Sequence, residues 1–356
     1  MMTRISAASG ALFVLLAGLA MPASAAAKYK IHWLIGHQNL DYFEDAALDF
    51  KRTVETKSHG DIEIIIDKTA DSGGSARLSA AEVGAAVAKG EAEMGHSFTD
   101  IMGAVDPRLY AFEAPFLIRD YRHMEGVIEG PIGNELLDGL RPKGIVGLSF
   151  TYSGGANGVA TIGRDLKSPA DLKGLKVGVY GDAVQEAWLR ALGATPVAIG
   201  HNEDGILARE KAGELDAAVI TWRNFERAAL DSRFKRMSLV NSTYLVSVTY
   251  INEKFFDSLP KEYQDLLMKT SRVEGRIERA KTIELNELTR RKVLAYGVQP
   301  VHLPEAGRAD FAAAVKPAYA AIEGVVGKGL LERIRAAKDG PMPSGDLHMV
   351  VDVVGR

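Results

Sequence analysis

The sequence predicts an α/β protein of two lobes, joined by hinge strands and braced by one long helix that spans them. Three observations carry that expectation. Residues 168–199, SPADLKGLKVGVYGDAVQEAWLRALGATPVAI, read as a short helix, a strand, a second helix and another strand, a crossover that builds a parallel sheet. A separate series of strands and helices fills residues 29–96. After Pro260 an amphipathic rhythm through Tyr263, Leu266, Val273, Ile277, Ile283 and Leu288 lasts until Gly297. Such a helix is about 55 Å long, more than the width of one lobe.

Taken in order, the first segment reads as an export signal. Arg4 supplies positive charge, residues 11–19 a short apolar run, and Ala23-Ser24-Ala25 a cleavage site, so the mature chain is expected to begin at Ala26. A membrane anchor needs roughly 20 apolar residues, more than this run offers. Residues 30–35 alternate as a first strand, and Asn39 or Asp41 caps a helix to about residue 58. Residues 62–66 read as a second strand, whose consecutive isoleucines predict burial on both faces. Residues 71–75 turn into a helix through Ala88, and residues 92–96 form a third strand. Two short helices then lead to a strand at residues 145–152.

Gly154-Gly155-Ala156-Asn157-Gly158 breaks that strand and is a hinge candidate, because glycine absorbs backbone change cheaply. The second lobe follows, with Asp182 capping a helix over residues 183–192 and residues 215–221 as a third strand. Trp188, in step with Val184 and Leu192, is expected in the core, as is Trp33. Residues 242–252 alternate like a second crossing between lobes, and the C-terminal helices are expected to cover the second lobe. The division expected is a first lobe of 26–153 with 243–283, and a second of 154–242 with 284–356.

Composition excludes several classes. The chain has 356 residues with formal charge −3, and loss of Arg4 with the leader takes it to −4. Without a basic block, neither nucleic acid nor a polybasic membrane footprint is expected. Zero cysteines removes disulfides, thiol catalysis and cysteine-bound zinc. G-x-S-x-G, H-E-x-x-H, P-loop and EF-hand patterns are all missing, and the eight histidines are scattered. No cofactor and no metal is expected, and binding is favoured over catalysis. An enzyme on this scaffold would have only Glu203 and Asp204, near His201, as acid or base.

Several motifs in sequence carry a resemblance. DLKGLKV followed by LGATPV, together with KYKIHWLIGHQ, FKRTVETKSHGDIEIII, VAKGEAEMG, EAPFLIRD and SLPKEYQDLL, resembles the extracytoplasmic solute receptors of tripartite ATP-independent periplasmic (TRAP) transporters, of the DctP type. The resemblance covers nearly the whole mature chain. It implies a periplasmic binding protein of type II-like architecture, monomeric, that closes on a small solute and hands it to a membrane permease driven by an ion gradient. A receptor for an ATP-driven importer is the runner-up.

Open α/β sheets hold ligands beyond their strand tips. From the first lobe His37, Asn39, Tyr42 and Ser75 are placed to donate to an oxyanion, and Asn157 lies in the hinge run. Phe98, Tyr152, Tyr180 and Trp222 are expected as aromatic walls, which points to an aromatic or bulky acid. The resemblance implies an arginine for a substrate carboxylate at the position occupied by Gly178, and an asparagine where Ile220 stands. Either another cation serves or the ligand differs. Arg223, leaving a strand end, is the first replacement and Arg77 the second. His201 falls where the family often has an aromatic residue.

Overall fold

The computed structural model describes residues 26–37, 41–70, 73–200, 203–304 and 306–343, with the side chains of Asp41, Tyr42 and Asp204 left out. The expected leader, residues 1–25, lies outside them. Two sheets form the framework. The first has the order β2-β1-β3-β10-β4, from β1 (Tyr29–Ile35), β2 (Ile62–Lys68), β3 (Met94–Phe98), β4 (Ile145–Ala156) and β10 (Tyr244–Asn252). The second has the order β11-β9-β5-β8-β6-β7, from β5 (Gly158–Thr161), β6 (Lys176–Val179), β7 (Thr195–Ala198), β8 (Ala217–Ile220), β9 (Arg236–Ser238) and β11 (Gln299–Val301).

Both crossovers are as the hydrophobic pattern implies. β1 pairs in parallel with β2 and β3, and β6 with β7 and β8. Ile31, Trp33 and Ile35 on one face of β1 bury against Phe50 and Val54 of the helix Asp41–Lys57. Trp188 is buried with Val184 and Leu192 on the helix Ala183–Ala191 side of the second sheet. β2 is an edge strand, so Ile65 and Ile66 are only half-buried where burial on both faces was expected.

The chain passes between the sheets at Asn157 and again over residues 239–243. The glycine run does not end β4 as expected. The strand continues through Gly154 and Gly155, whose φ angles are +131° and +87°, while the pairing with β10 slips between Leu245 and Val246. Backbone of that kind is a bulge, open to glycine at little cost. The helix expected from Ser75 starts only at Ala80, because Ser79 and Glu82 close a capping box that sets the entry there.

The helix Lys261–Ala295 has 35 residues and lies against Asp41–Lys57 and β4 at one end and the helix Trp222–Arg227 at the other. It therefore braces both sheets. The C-terminal helices do more than cover the second lobe. The helix Lys316–Val326 packs on Ala183–Ala191 and also on the 3-10 turn Pro107–Glu113, and Ile334 O meets the His123 ring at 2.9 Å.

Candidate functional site

The tips of β3 and β6 meet where the two sheets face each other. Phe98 ends β3, Tyr180 follows β6, and with Leu245 at the start of β10 they form one small buried cluster. It draws on both sheets, with Leu245 just past the second crossing. Around it the polar groups are held by short-range structure. Gly181 turns the chain so that Asp182 caps Ala183–Ala191, accepting from the amides of Val184 (2.9 Å) and Gln185 (2.8 Å). Gln185 ties the site together, accepting from the Tyr180 amide at 3.0 Å and donating to Glu113 Oε2 at 3.0 Å.

Three acidic side chains act on one another electrostatically there. Asp100 comes from the turn after β3, Glu113 from the end of Pro107–Glu113, and Asp182 from the other sheet. Burial and then the Asp100 charge push Asp182 up to about 7. Burial, followed by the charges of Asp182 and Asp100, drives Glu113 well above the carboxylate range. The Tyr180 phenol is raised well above its usual value by burial and by Glu203. Charge concentrated without solvent raises the cost of each further negative charge.

The remaining expected residues divide into groups. His37 is buried at the end of β1, its Nε2 2.6 Å from His96 Nδ1, and His96 Nε2 lies 2.8 Å from Thr151 Oγ1. Phe43 stacks on His96 at 3.5 Å, and burial together with His37 lowers the His96 imidazole well below its usual range. His37 is also 5.4 Å from the Phe98 ring, so the structure brings His37, Phe98 and Tyr180 to one region.

Others are engaged elsewhere. Tyr152, expected as a wall, is buried inside the first lobe and donates to Glu125 Oε1 at 2.7 Å. Trp222 packs on Phe225 in the second lobe's own core, because the face of β8 that bears Ile220 is apolar. Asn157 is buried at the crossing and donates to Thr243 Oγ1 at 2.9 Å. The Ser75 hydroxyl donates to Asp67 Oδ2 at 2.6 Å, and Arg77 is exposed. Arg223 is mostly buried and pairs with Glu226 at 2.9 Å, while Glu226 also holds Lys292. Asn39, His201 and the Tyr42 side chain lie outside the described residues.

Two features were not foreseen. A Cβ on Gly178 would stand 3.4 Å from Ile199 Cγ2 and 3.5 Å from Leu215, so that strand position faces apolar side chains. The Asp100, Glu113 and Asp182 cluster was also missed. Asp182 was legible only as a cap and Glu113 only as part of EAPFLIRD, because neither pattern reports what the other lobe brings.

Known proteins share this architecture. The family model described as bacterial extracellular solute-binding protein, family 7 (DctP), matches residues 36–324. A C4-dicarboxylate-binding periplasmic protein of Rhodobacter capsulatus is 29% identical over 229 residues, 59% of this chain and 68% of that protein. The crystal structure of a TRAP periplasmic solute-binding protein from Ochrobactrum anthropi superposes with a TM-score of 0.79 at 19% identity, over 93% of this chain and 97% of that one. Another from Bradyrhizobium, in complex with α/β-D-galacturonate, has a TM-score of 0.75 at 26% identity over 86% and 99%. With a family model spanning most of its length and the same two-sheet architecture, this chain belongs to the DctP family of bacterial extracellular solute-binding proteins and is a solute receptor of the TRAP type.

Proposed function

We propose that the mature chain, released by cleavage near Ala25, works in the periplasm as a monomer that closes on a small organic solute and delivers it to a TRAP permease pair. The moving bodies in this reading are 26–153 with 243–283 and 154–242 with 284–356. The observation that carries it is the meeting of β3 and β6 tips at Phe98, Tyr180 and Leu245, beside the two crossings. A solute touching both tips makes contacts that exist only when the lobes are together, and those contacts shift the population toward closure.

The carboxylate ligands of the Rhodobacter and Bradyrhizobium relatives support an acid as the solute. Arg223 is the cation for it. Lys292 stays on Glu226 Oε1 when Arg223 leaves Oε2, so the guanidinium can turn to a solute without stranding a bare carboxylate. Catalysis is disfavoured by Glu203, whose oxygens are taken by Asn224 Nδ2 at 2.8 Å and by Arg227. No nucleic-acid partner and no cofactor belongs to this reading.

Ligand-stripped, refolded protein screened by thermal shift against organic acids tests it. A ligand at a hundred times its dissociation constant stabilises by about 2.7 kcal/mol. An acid that raises the midpoint in the wild type, with affinity lowered about ten- to a hundredfold in Arg223→Ala, is the expected result. Acids that bind the variant equally well would remove Arg223 from the site.

A further inference from the structure

We propose that one buried water sits in the small cavity between Trp33 of β1 and Glu274 of the helix Lys261–Ala295, accepting from Trp33 Nε1 and donating to Glu274 Oε2, and that it joins Glu274 to the Thr151–His96–His37 chain. The inference goes beyond the receptor reading and needs no solute for its test.

The first ground is a donor and an acceptor left over in one cavity. Trp33 is 2% exposed, and its indole Nε1, which can only donate, has no hydrogen-bond partner among the described residues. Glu274 Oε2 is buried and has none either. Both side chains line a cavity of about 10 Å³, together with Ser149, Thr151 and Ser271. That is about the room one water takes, and a buried water holds two to four polar partners. Ser149 and Ser271 already bond each other at 2.7 Å, whereas the indole and the carboxyl oxygen have only the cavity to turn to. The walls select water over anything larger or charged. The Phe43 and Phe50 rings stand 5.8 and 5.2 Å from Trp33 and close the apolar side. An indole N–H repels a metal ion, and no group of three or more metal-ligating side chains occurs among the described residues.

The second ground is where the cavity leads. Thr151 Oγ1 lies 2.8 Å from His96 Nε2, and His96 Nδ1 lies 2.6 Å from His37 Nε2. The His37 ring is 5.4 Å from Phe98, at the strand tips. A hydroxyl, an imidazole and a water each donate and accept, so a proton gained or lost at Glu274 re-orients the whole row. Glu274 is in this sense a positioning residue for His37. Facing Glu274 are Asp49 and Arg52 of the helix Asp41–Lys57 and Lys281 of its own helix. Beside His96 stand His37 and the uncharged Phe43 and Thr151. Burial, then the Asp49 charge, pushes Glu274 up to about 7, so its proton changes hands near neutral pH.

The test is NMR on ligand-free, nitrogen-15-labelled protein, whose three tryptophans give three indole N–H signals, with Trp33→Phe identifying one of them. The Trp33 signal is expected to receive magnetisation from a long-lived water and to move as pH passes through about 7. Glu274→Gln is expected to keep the water contact and abolish that movement. The His37 and His96 ring nitrogens are expected to show a step at the same pH in the wild type, and to lose it both in Glu274→Gln and in Thr151→Val, which keeps the shape of the side chain without its hydroxyl. A Trp33 signal with no water contact overturns the water site. Ring nitrogens that keep the step in either variant overturn the chain. A high-resolution crystal structure of the wild type decides the water site without any variant: a water within about 3 Å of both Trp33 Nε1 and Glu274 Oε2 supports it, and an empty cavity overturns it. None of these readouts uses a solute, so each outcome leaves the receptor reading standing.

Discussion

Arg279 is a buried charge held by several partners at once. Its side chain is 1% exposed, its Nε and Nη2 reach Glu125 at 2.9 and 3.0 Å, its Nη1 donates to Phe150 O at 2.8 Å, and Glu129 completes the pairing. Tyr152, within β4, joins through Glu125, which explains why this aromatic residue turns inward. A buried pair contributes little net stability, but removing one partner strands the other. Arg279→Met is therefore expected to lose about 3–5 kcal/mol in urea unfolding, and combining it with Glu125→Leu to recover most of the loss. The double variant falling as far as the single one would show that Arg279 acts through something other than Glu125.

At the scale of elements the crossing strand matters most. Gly155 lies where a Cβ would come within 2.5 Å of Tyr121 Oη and 2.9 Å of Asn286 Nδ2, one on the helix Tyr121–Ile128 and the other on Lys261–Ala295. Its φ of +87° adds strain for any other residue. Gly155→Ala is expected to cost about 1–3 kcal/mol in thermal unfolding and to change the radius of gyration of the unliganded protein. Gly163→Ala, with nothing within 4 Å, is the control and is expected to match wild type. The composition of this run announced a backbone special in the sequence. It did not announce that β4 would carry on through it, because strand continuation depends on β10, about ninety residues away.

For the whole molecule, buried acids set the response to pH. Asp182 and Glu278 are each pushed up to about 7, both first by burial, and burial also drives Glu113 well above the carboxylate range. The unfolded chain releases those protons near pH 4, so the folded state binds more of them and stability falls as pH rises through about 7. His96, lowered by burial, acts in the opposite sense below about pH 6.5, where the unfolded imidazole takes up a proton that the folded one refuses. Between pH 6.5 and 8 the acids dominate, and a fall of about 1–2 kcal/mol is expected in urea unfolding. Asp182→Asn is expected to flatten that slope, and an unchanged slope would remove Asp182 from the account.

The sequence by itself determined the α/β class, both parallel crossovers, the long brace and the family, because hydrophobic period, caps and motif order are local properties of the chain. It also placed Phe98 and Tyr180 at strand tips, which is where the sheets meet. Tertiary structure alone decided which polar groups converge. Tyr152 and Trp222 went to the cores of their own lobes, while Asp100, Glu113 and Asp182, from distant segments, came within electrostatic reach of one another. The electrostatic character of a cleft between lobes is a sum over segments far apart in sequence, and no local pattern contains that sum.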